Sequence, residues 1–237
     1  SIACYLPKVT HWAQNQSVKH YATNALEQIT TPDFAQYIRL HIYILDGLND
    51  RHLTLVQCVS YIIAALFVYL ISRKLGCEKK WSYISMAIFL SLPITFAEAL
   101  NTQYHLITAV FVLAFVLLLM NYLEESSKIC IDFPGLLHTA MIGVCIGLAF
   151  ISKTTTGFII AVFVLALFQK CFEYKIGWKK FGVSLSVAAI SAVIFILPKF
   201  IRTYYTFGAL FTEDFSTNHI VETADPRLLF LCFIKNF

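Results

Sequence analysis

Apolar runs separated by polar connections fill most of this chain of 237 residues. Six runs follow a polar opening stretch, at 53–72, 82–97, 105–123, 136–152, 157–168 and 183–201. The first has twenty residues, enough for a helix of about 30 Å that crosses a bilayer. The short runs must be buried against neighbours or extended by flanking residues. The pattern predicts an all-α fold, a polytopic membrane helix bundle of about six spans.

The polar opening stretch, residues 1–52, contains the signal of one amphipathic helix. Thr31-Pro32-Asp33 is typical of a helix start, with Thr31 as N-cap, Pro32 at the first helical position and Asp33 near the positive end. Apolar side chains then recur at helical spacing, at Phe34, Tyr37, Ile38, Ile42 and Leu45. Gly47 can end this helix. We therefore predict a folded loop whose helix lies in the membrane interface.

Composition narrows the class of protein. Hydrophobic residues make up 58% of the chain and charged residues 14%, whereas a soluble domain has about 25% charged residues. The net charge of +4 is modest and predicts no nucleic-acid partner. Seven cysteines are scattered without the spacing of a zinc site, so no metal site is predicted. The chain starts at Ser1 and stops within an apolar run, and we expect it to be part of a longer protein.

Basic residues in the connections predict the orientation of the bundle. Three connections between apolar runs carry nine of the eighteen Lys and Arg residues, at Arg73, Lys74, Lys79 and Lys80, at Lys128, and at Lys170, Lys175, Lys179 and Lys180. The positive-inside rule places these connections in the cytoplasm. The predicted organisation is then an extracytoplasmic loop (1–52), a transmembrane bundle (53–201) and a further extracytoplasmic segment (202–237). Four polar pieces, including 98–104 and the turn at Lys153, converge at one membrane face.

Several short motifs occur in an order and spacing that resemble one family. They are CYLPKV at 4–9, HWAQN at 11–15, TPDFAQ at 31–36, TQYH at 102–105, SKTT at 152–155, and Arg202 followed by Phe207-Gly208. In these motifs the chain resembles the bacterial C-type membrane glycosyltransferases, which are related to the protein O-mannosyltransferases and the lipid A aminoarabinose transferase. The resemblance covers nearly the whole chain. It implies transfer of a hexosyl or pentosyl group from a lipid-phosphate donor.

Three acidic positions of that family are absent or replaced here. The resemblance places the catalytic Asp ahead of Ser1, so no residue of this chain is assigned as the catalytic acid. Gln36 stands where relatives have a Glu, and His105 stands where they have an acid in the second external loop. The fold is expected to survive these changes, while full activity is in question.

Transfer of a sugar from a lipid phosphate requires a cation near the phosphate and a base near the attacking hydroxyl. The leaving group is an anionic phosphate, which Lys153 and Arg202 at the outer ends of spans could bind. Either cation could instead extend to lipid headgroups, which is common near membrane ends. His105 could accept a proton from an attacking hydroxyl, although an ordinary interfacial histidine is an equal alternative.

Four further residues are candidate substrate contacts. They are Tyr5, Lys8, Gln36 and Gln103. Gln36 can donate and accept hydrogen bonds but cannot act as a base. For Tyr5 and Lys8 the alternative is plain anchoring at the membrane interface.

The leading hypothesis is an integral membrane glycosyltransferase of the bacterial inner membrane. It would move a sugar from a polyprenyl-phosphate-linked donor to a glycan, lipid or protein acceptor at the extracytoplasmic face. No cofactor is assigned, and a divalent cation is left open. The alternatives are a transporter, because two runs are short and interrupted by Gly or Pro, and a non-catalytic relative of the same fold. Against a transporter, the halves share no repeat and ionisable residues are nearly absent from the spans. The sugar, the acceptor and the oligomeric state are not predicted.

Overall fold

The computed structural model describes residues 5–25, 27–30, 32–124, 133–174 and 178–208. Within these ranges the regular structure is entirely helical, which confirms the predicted all-α bundle. The helices are α1 (Tyr5–Gln14), α2 (Glu27–Thr30), α3 (Phe34–Leu45), α4 (Leu55–Lys74), α5 (Lys79–Ser91), α6 (Pro93–Ala99), α7 (His105–Glu124), α8 (Phe133–Ser152), α9 (Phe158–Tyr174) and α10 (Trp178–Phe207). A short 3-10 helix, Thr154–Gly157, precedes α9.

Four described helices are long and apolar enough to cross a membrane, namely α4, α7, α8 and α10. A fifth crossing results if α5 and α6, which are bent by 65° at a short break, act as one span. The run at 82–97 was predicted as a single span. It is broken because Leu92 is extended ahead of Pro93, and Pro93 can only begin the next helix.

Helix α10 is the longest of the described helices, and it ends later in the sequence than the apolar pattern predicted. It covers 30 residues and continues through Pro198 to Phe207, beyond the expected end of the last span at 201. At about 1.5 Å of rise per residue it exceeds the thickness of a bilayer core. Arg202 therefore lies on a helix rather than in a loop.

Close packing of α8 against α10 forms the centre of the bundle. A methyl group at Gly143 would lie 2.2 Å from the backbone oxygen of Ala188, and one at Gly147 would lie 2.8 Å from that of Ala192. The two backbones therefore touch where both helices have small residues. Apolar side chains from α7 complete this core, including Phe115 and Leu119.

Opposite ends of the bundle are marked by different contacts. At one end Lys74 and Glu124 form an ion pair, which brings together the ends of α4 and α7. At the other end the side chain of Gln57 contacts the backbone of Gln103 and Ile107. The polar opening stretch packs at this second end.

The start of α3 differs from the prediction. The helix begins at Phe34, with Pro32 ahead of it and Asp33 as N-cap, and Thr31 lies outside the described residues. The predicted Thr31 cap with Pro32 as first helical residue is therefore wrong. Asp33 makes no side-chain cap hydrogen bond, because its carboxylate is engaged by two cations from other helices. Gly47, with φ +67°, follows the end of α3 as predicted.

Candidate functional site

Three segments far apart in sequence meet in a cluster that we call the ionic cluster, consisting of Lys8, Asp33 and Arg202. Lys8 of α1 forms an ion pair with one oxygen of the Asp33 carboxylate. Arg202 of α10 binds the other oxygen through Nη1 at 3.0 Å. The same Nη1 donates to the hydroxyl of Tyr37 on α3. The cluster thus joins the opening stretch to the last helix of the bundle.

The indole of Trp12 forms one wall of the ionic cluster. It is 2% exposed and stacks on the ring of Tyr37, with 5.1 Å between ring centroids. The Lys8 Nζ atom lies 5.4 Å and the Arg202 Cζ atom 5.2 Å from the centroid of the Trp12 ring. Both cations are therefore within the range of a cation–π interaction. The Lys8 side chain beside this ring is fully buried, whereas Asp33 and Arg202 keep 14% and 18% of their side-chain surface exposed.

The ionic cluster carries more positive than negative charge. Burial lowers the pKa of Lys8, and Asp33 offsets part of this effect. One carboxylate faces two cations, and the Nε and Nη2 atoms of Arg202 and the Nε1 atom of Trp12 are buried without an acceptor among the described residues. Buried donors without partners are costly, so a ligand that supplies acceptors is favoured here. An anion would satisfy both the charge and the donors.

A second polar group, centred on the backbone carbonyl of Gln103, lies beside the same end of the bundle. Arg39 is 1% exposed and donates to this carbonyl and, at 3.0 Å, to Oε1 of Gln36. Gln57 donates to the same carbonyl, and its own Oε1 accepts from the N–H of Ile107 at 3.2 Å. Burial lowers the pKa of Arg39 to about 10, which leaves its guanidinium charged at neutral pH.

The polar group at Gln103 contains two residues that the sequence predicted as substrate contacts and two that the sequence reasoning missed. Gln36 is buried and fixes Arg39, and Gln103 contributes its carbonyl. Arg39 and Gln57 were not chosen as site residues. The spacing of Gln36 and Arg39, three positions apart on the polar side of α3, was a signal that could have found Arg39.

Tyr5 and His105 are connected through one intervening ring. Tyr5 meets Tyr104 edge to face at 5.6 Å between centroids, and Tyr104 lies 5.0 Å from the His105 ring. His105 Nδ1 is 3.9 Å from a carboxylate oxygen of Glu98, the last turn of α6. This places one imidazole and one carboxylate side by side at the start of α7.

Lys153 lies apart from the ionic cluster but at the same end of the bundle. It follows α8 directly, and Phe150 on α8 lies 6.1 Å from Phe200 on α10, two residues before Arg202. Its backbone is extended and precedes the 3-10 helix, while the Thr156 hydroxyl donates to the Lys153 carbonyl at 2.8 Å. The hydroxyl-rich turn after α8 thus leads into the 3-10 helix that precedes α9.

His20 is a further residue at the ionic cluster that the sequence did not single out. Its ring lies edge-on to Phe207 at 5.8 Å, and its buried Nδ1 has no hydrogen-bond partner among the described residues. Burial, and then the charge of Arg202, lower the pKa of His20 from 6.5 to about 4. His20 is therefore neutral at physiological pH.

The depressed pKa of His20 predicts a loss of stability in mild acid. Below pH 6.5 the unfolded chain takes up a proton on His20, whereas the folded chain does so only near pH 4. This stability is complete above pH 6.5 and falls progressively down to about pH 4. We expect the midpoint of thermal unfolding in detergent to fall from pH 7 to pH 5, and to fall less in His20→Gln. The exposed His41→Gln serves as control, and equal pH dependence of His20→Gln and unmutated protein would contradict the assignment.

Comparison with known proteins decides the family. The profile of the family described as dolichyl-phosphate-mannose-protein mannosyltransferase matches residues 30–201. The chain belongs to this family. No match was found to a curated protein or to a solved structure.

Membership of the mannosyltransferase family confirms the resemblance found in the motifs. It supports a membrane glycosyltransferase of the C type and implies a lipid-linked sugar donor. The matched range contains Asp33, Gln36, Gln103 and Lys153; Arg202 directly follows it, and Lys8 lies well before it. Among the described residues, no three His, Cys, Asp or Glu side chains are grouped closely enough to hold a metal ion.

Proposed function

We propose that this mannosyltransferase-family chain transfers a sugar from a polyprenyl-phosphate-linked donor to a glycan, lipid or protein acceptor at the extracytoplasmic face. The ionic cluster is the site for the phosphate of the donor. The observation that carries this proposal is the pair of buried, unpartnered N–H groups of Arg202 beside an excess of positive charge. A guanidinium suits this role because its fork of donors matches phosphate oxygens.

The chemistry requires the phosphate to leave with the bonding electrons. The oxygen of the acceptor hydroxyl attacks the anomeric carbon of the sugar, while the bond from that carbon to the phosphate oxygen breaks. Negative charge therefore grows on the phosphate, and Arg202 would stabilise it without reorganisation because Asp33 and Tyr37 already hold its side chain. Inversion at the anomeric carbon follows from attack opposite the leaving group.

The proton of the acceptor hydroxyl needs a base. Among the described residues, His105 beside Glu98 is the candidate for that base. Tyr5 lies one ring away from His105, at the beginning of α1. His105 therefore belongs to the same end of the bundle as the opening stretch.

The proposed membrane face rests on the distribution of basic residues. The Lys74–Glu124 pair belongs to the end of the bundle with the Lys-rich connections, which the positive-inside rule assigns to the cytoplasm. The ionic cluster lies at the other end, with the start of α4 and α7. This arrangement supports an extracytoplasmic site.

Replacing Arg202 tests the proposed phosphate site. We expect Arg202→Gln to lower sugar transfer from a polyprenyl-phosphate donor by about 100-fold, because a charged contact to the leaving group is lost. Arg202→Lys should retain part of the activity, since the charge remains but the fork of donors is lost. Transfer of radiolabelled mannose or arabinose from the polyprenyl-phosphate sugar by membranes containing each full-length variant provides the measurement.

Two comparisons make this assay specific. Lys199→Gln removes a positive charge three residues earlier on α10, where Lys199 lies over the Phe150 ring, and should leave transfer nearly unchanged. Lys153→Gln tests whether the second predicted cation also binds donor, in which case Lys153→Arg should restore part of the loss. Normal transfer by Arg202→Gln at a normal protein level would refute the role of Arg202.

A transporter is the second candidate because of one specific feature. The 65° bend between α5 and α6 gives an interrupted span, and such spans commonly line the substrate sites of transporters. Membership of a transferase family favours the enzyme. Absence of transfer with every polyprenyl-phosphate sugar would instead favour the transporter or a non-catalytic relative.

A further inference from the structure

A polar cavity of about 400 Å³ opens between α1 and the end of α3, apart from the residues of the ionic cluster. Leu6 and Thr10 of α1, Tyr43 of α3 and the segment 47–50 line it. We propose that this cavity, which we call the α1–α3 cavity, binds a neutral sugar ring. Its volume lies within the range of ordinary small-molecule sites. The role of that sugar in transfer rests on the proposed function, whereas its binding does not.

The groups that line the α1–α3 cavity suit the hydroxyls of a sugar. The Thr10 hydroxyl already donates to the carbonyls of Leu6 and Pro7, which leaves its oxygen free to accept. Asn49 Oδ1 accepts from the N–H of Arg51 at 3.2 Å, so its amide N–H₂ is available to donate. The Asp50 carboxylate forms no ion pair in the described part of the chain and can accept two hydroxyl hydrogens.

The α1–α3 cavity is unsuited to an anion. Among the described residues, no Lys, Arg or His lines it, and the carboxylate of Asp50 would repel a phosphate. The half-buried ring of Tyr43 offers an apolar face, against which the C–H side of a sugar ring packs. Donors, acceptors and one aromatic face, without a cation, are the chemistry of neutral carbohydrate recognition.

The rim of the α1–α3 cavity is apolar and held in an unusual conformation. Leu48 has φ +65°, a left-handed conformation that is unfavourable for a residue other than glycine. A hydrogen bond from the Leu48 N–H to the Tyr43 carbonyl at 2.8 Å maintains it. Leu48, which lines the cavity, is 59% exposed, and Leu45 near the end of α3 is 87% exposed. The surface beside the cavity is therefore apolar on this side.

Binding of free glycosides tests the proposal directly. The probes are the methyl glycosides of glucose, mannose, galactose, N-acetylglucosamine and arabinose, and the readout is saturation-transfer difference NMR with the purified full-length protein in detergent. We expect at least one glycoside to give a signal. That signal should drop at least tenfold in Asp50→Ala and in Tyr43→Ala, and remain in Arg51→Ala, which changes a neighbour that does not line the cavity. No signal from any glycoside, or equal signals in Asp50→Ala and unmutated protein, would overturn the proposal.

A competition arm distinguishes the two sources of such a sugar. If the cavity holds the sugar of the donor, a short-chain prenyl-phosphate sugar displaces the glycoside, whereas the same prenyl phosphate without sugar does not. If the cavity holds the acceptor, the glycoside remains bound with donor present, and Asp50→Ala raises KM for the acceptor but not for the donor. The protein could bind a glycoside through Asp50 and yet show no transferase activity. That result would support the sugar site and refute only the transferase function.

Discussion

Gly143→Ala is expected to disrupt the bundle, although it adds a single methyl group. That methyl would lie 2.2 Å from the oxygen, 2.8 Å from the carbonyl carbon and 2.9 Å from the Cα of Ala188 on α10. All three are backbone atoms, so α8 and α10 must separate to make room. We expect a loss of about 3 kcal/mol or more, at the upper end of what overpacking costs. The measurement is the temperature at which half of the detergent-purified protein aggregates on heating.

Gly182, which lies on α10, provides the matched control for Gly143 on α8. Gly182 has open space where its methyl group would lie, so Gly182→Ala should be neutral or slightly stabilising through helix propensity. Ala188→Gly should not rescue Gly143→Ala, because the atoms that clash belong to the backbone rather than to the Ala188 side chain. Unchanged heat stability of Gly143→Ala would mean that α8 and α10 do not pack at this distance.

The fold could be predicted from the sequence wherever length and hydropathy alone decide. The runs at 53–72 and 105–123 correspond closely to α4 and α7, because about twenty apolar residues leave helix as the way to satisfy the backbone in lipid. The run at 82–97 was harder, since a proline inside an apolar run can either be tolerated or bend the span. Hydropathy does not distinguish between these two outcomes. The close packing of α8 on α10 at Gly143 and Gly147 was not predicted, because nothing in the sequence identifies the partner of α8.

The candidate site could be predicted only as a set of residue types. Lys8, Gln36 and Arg202 were selected from their motifs, yet nothing in the sequence pairs Lys8 with Arg202 across nearly the whole chain. Asp33 was interpreted as part of a helix start because Pro-Asp after Thr is typical of one. Local patterns cannot show that two cations from other helices bind the same carboxylate. These two ion pairs, rather than a helix cap, are the role of Asp33 in the fold.

Asp33→Asn is expected to destabilise the protein strongly. The asparagine has nearly the same shape, but Lys8 and Arg202 would lose their shared anion and repel each other at a buried site. Removing one partner of a buried ion pair costs about 3–5 kcal/mol, because the remaining charge is left uncompensated. A fall of roughly 10 °C in the heat-stability midpoint is expected, since each kcal/mol is worth a few degrees at this size.

A double substitution tests whether this loss of stability is electrostatic. Adding Lys8→Met to Asp33→Asn removes one of the two uncompensated cations, so the double variant should be more stable than the sum of the single effects. Glu124→Gln breaks the more exposed ion pair with Lys74, where the two side chains are 58% and 27% exposed, and should cost less than about 1 kcal/mol. If Asp33→Asn behaved like Glu124→Gln, the ionic cluster would be a surface feature, and its proposed preference for an anion would lose its physical basis. If instead the losses in Asp33→Asn and Lys8→Met were simply additive, Asp33 would act through Arg202 alone.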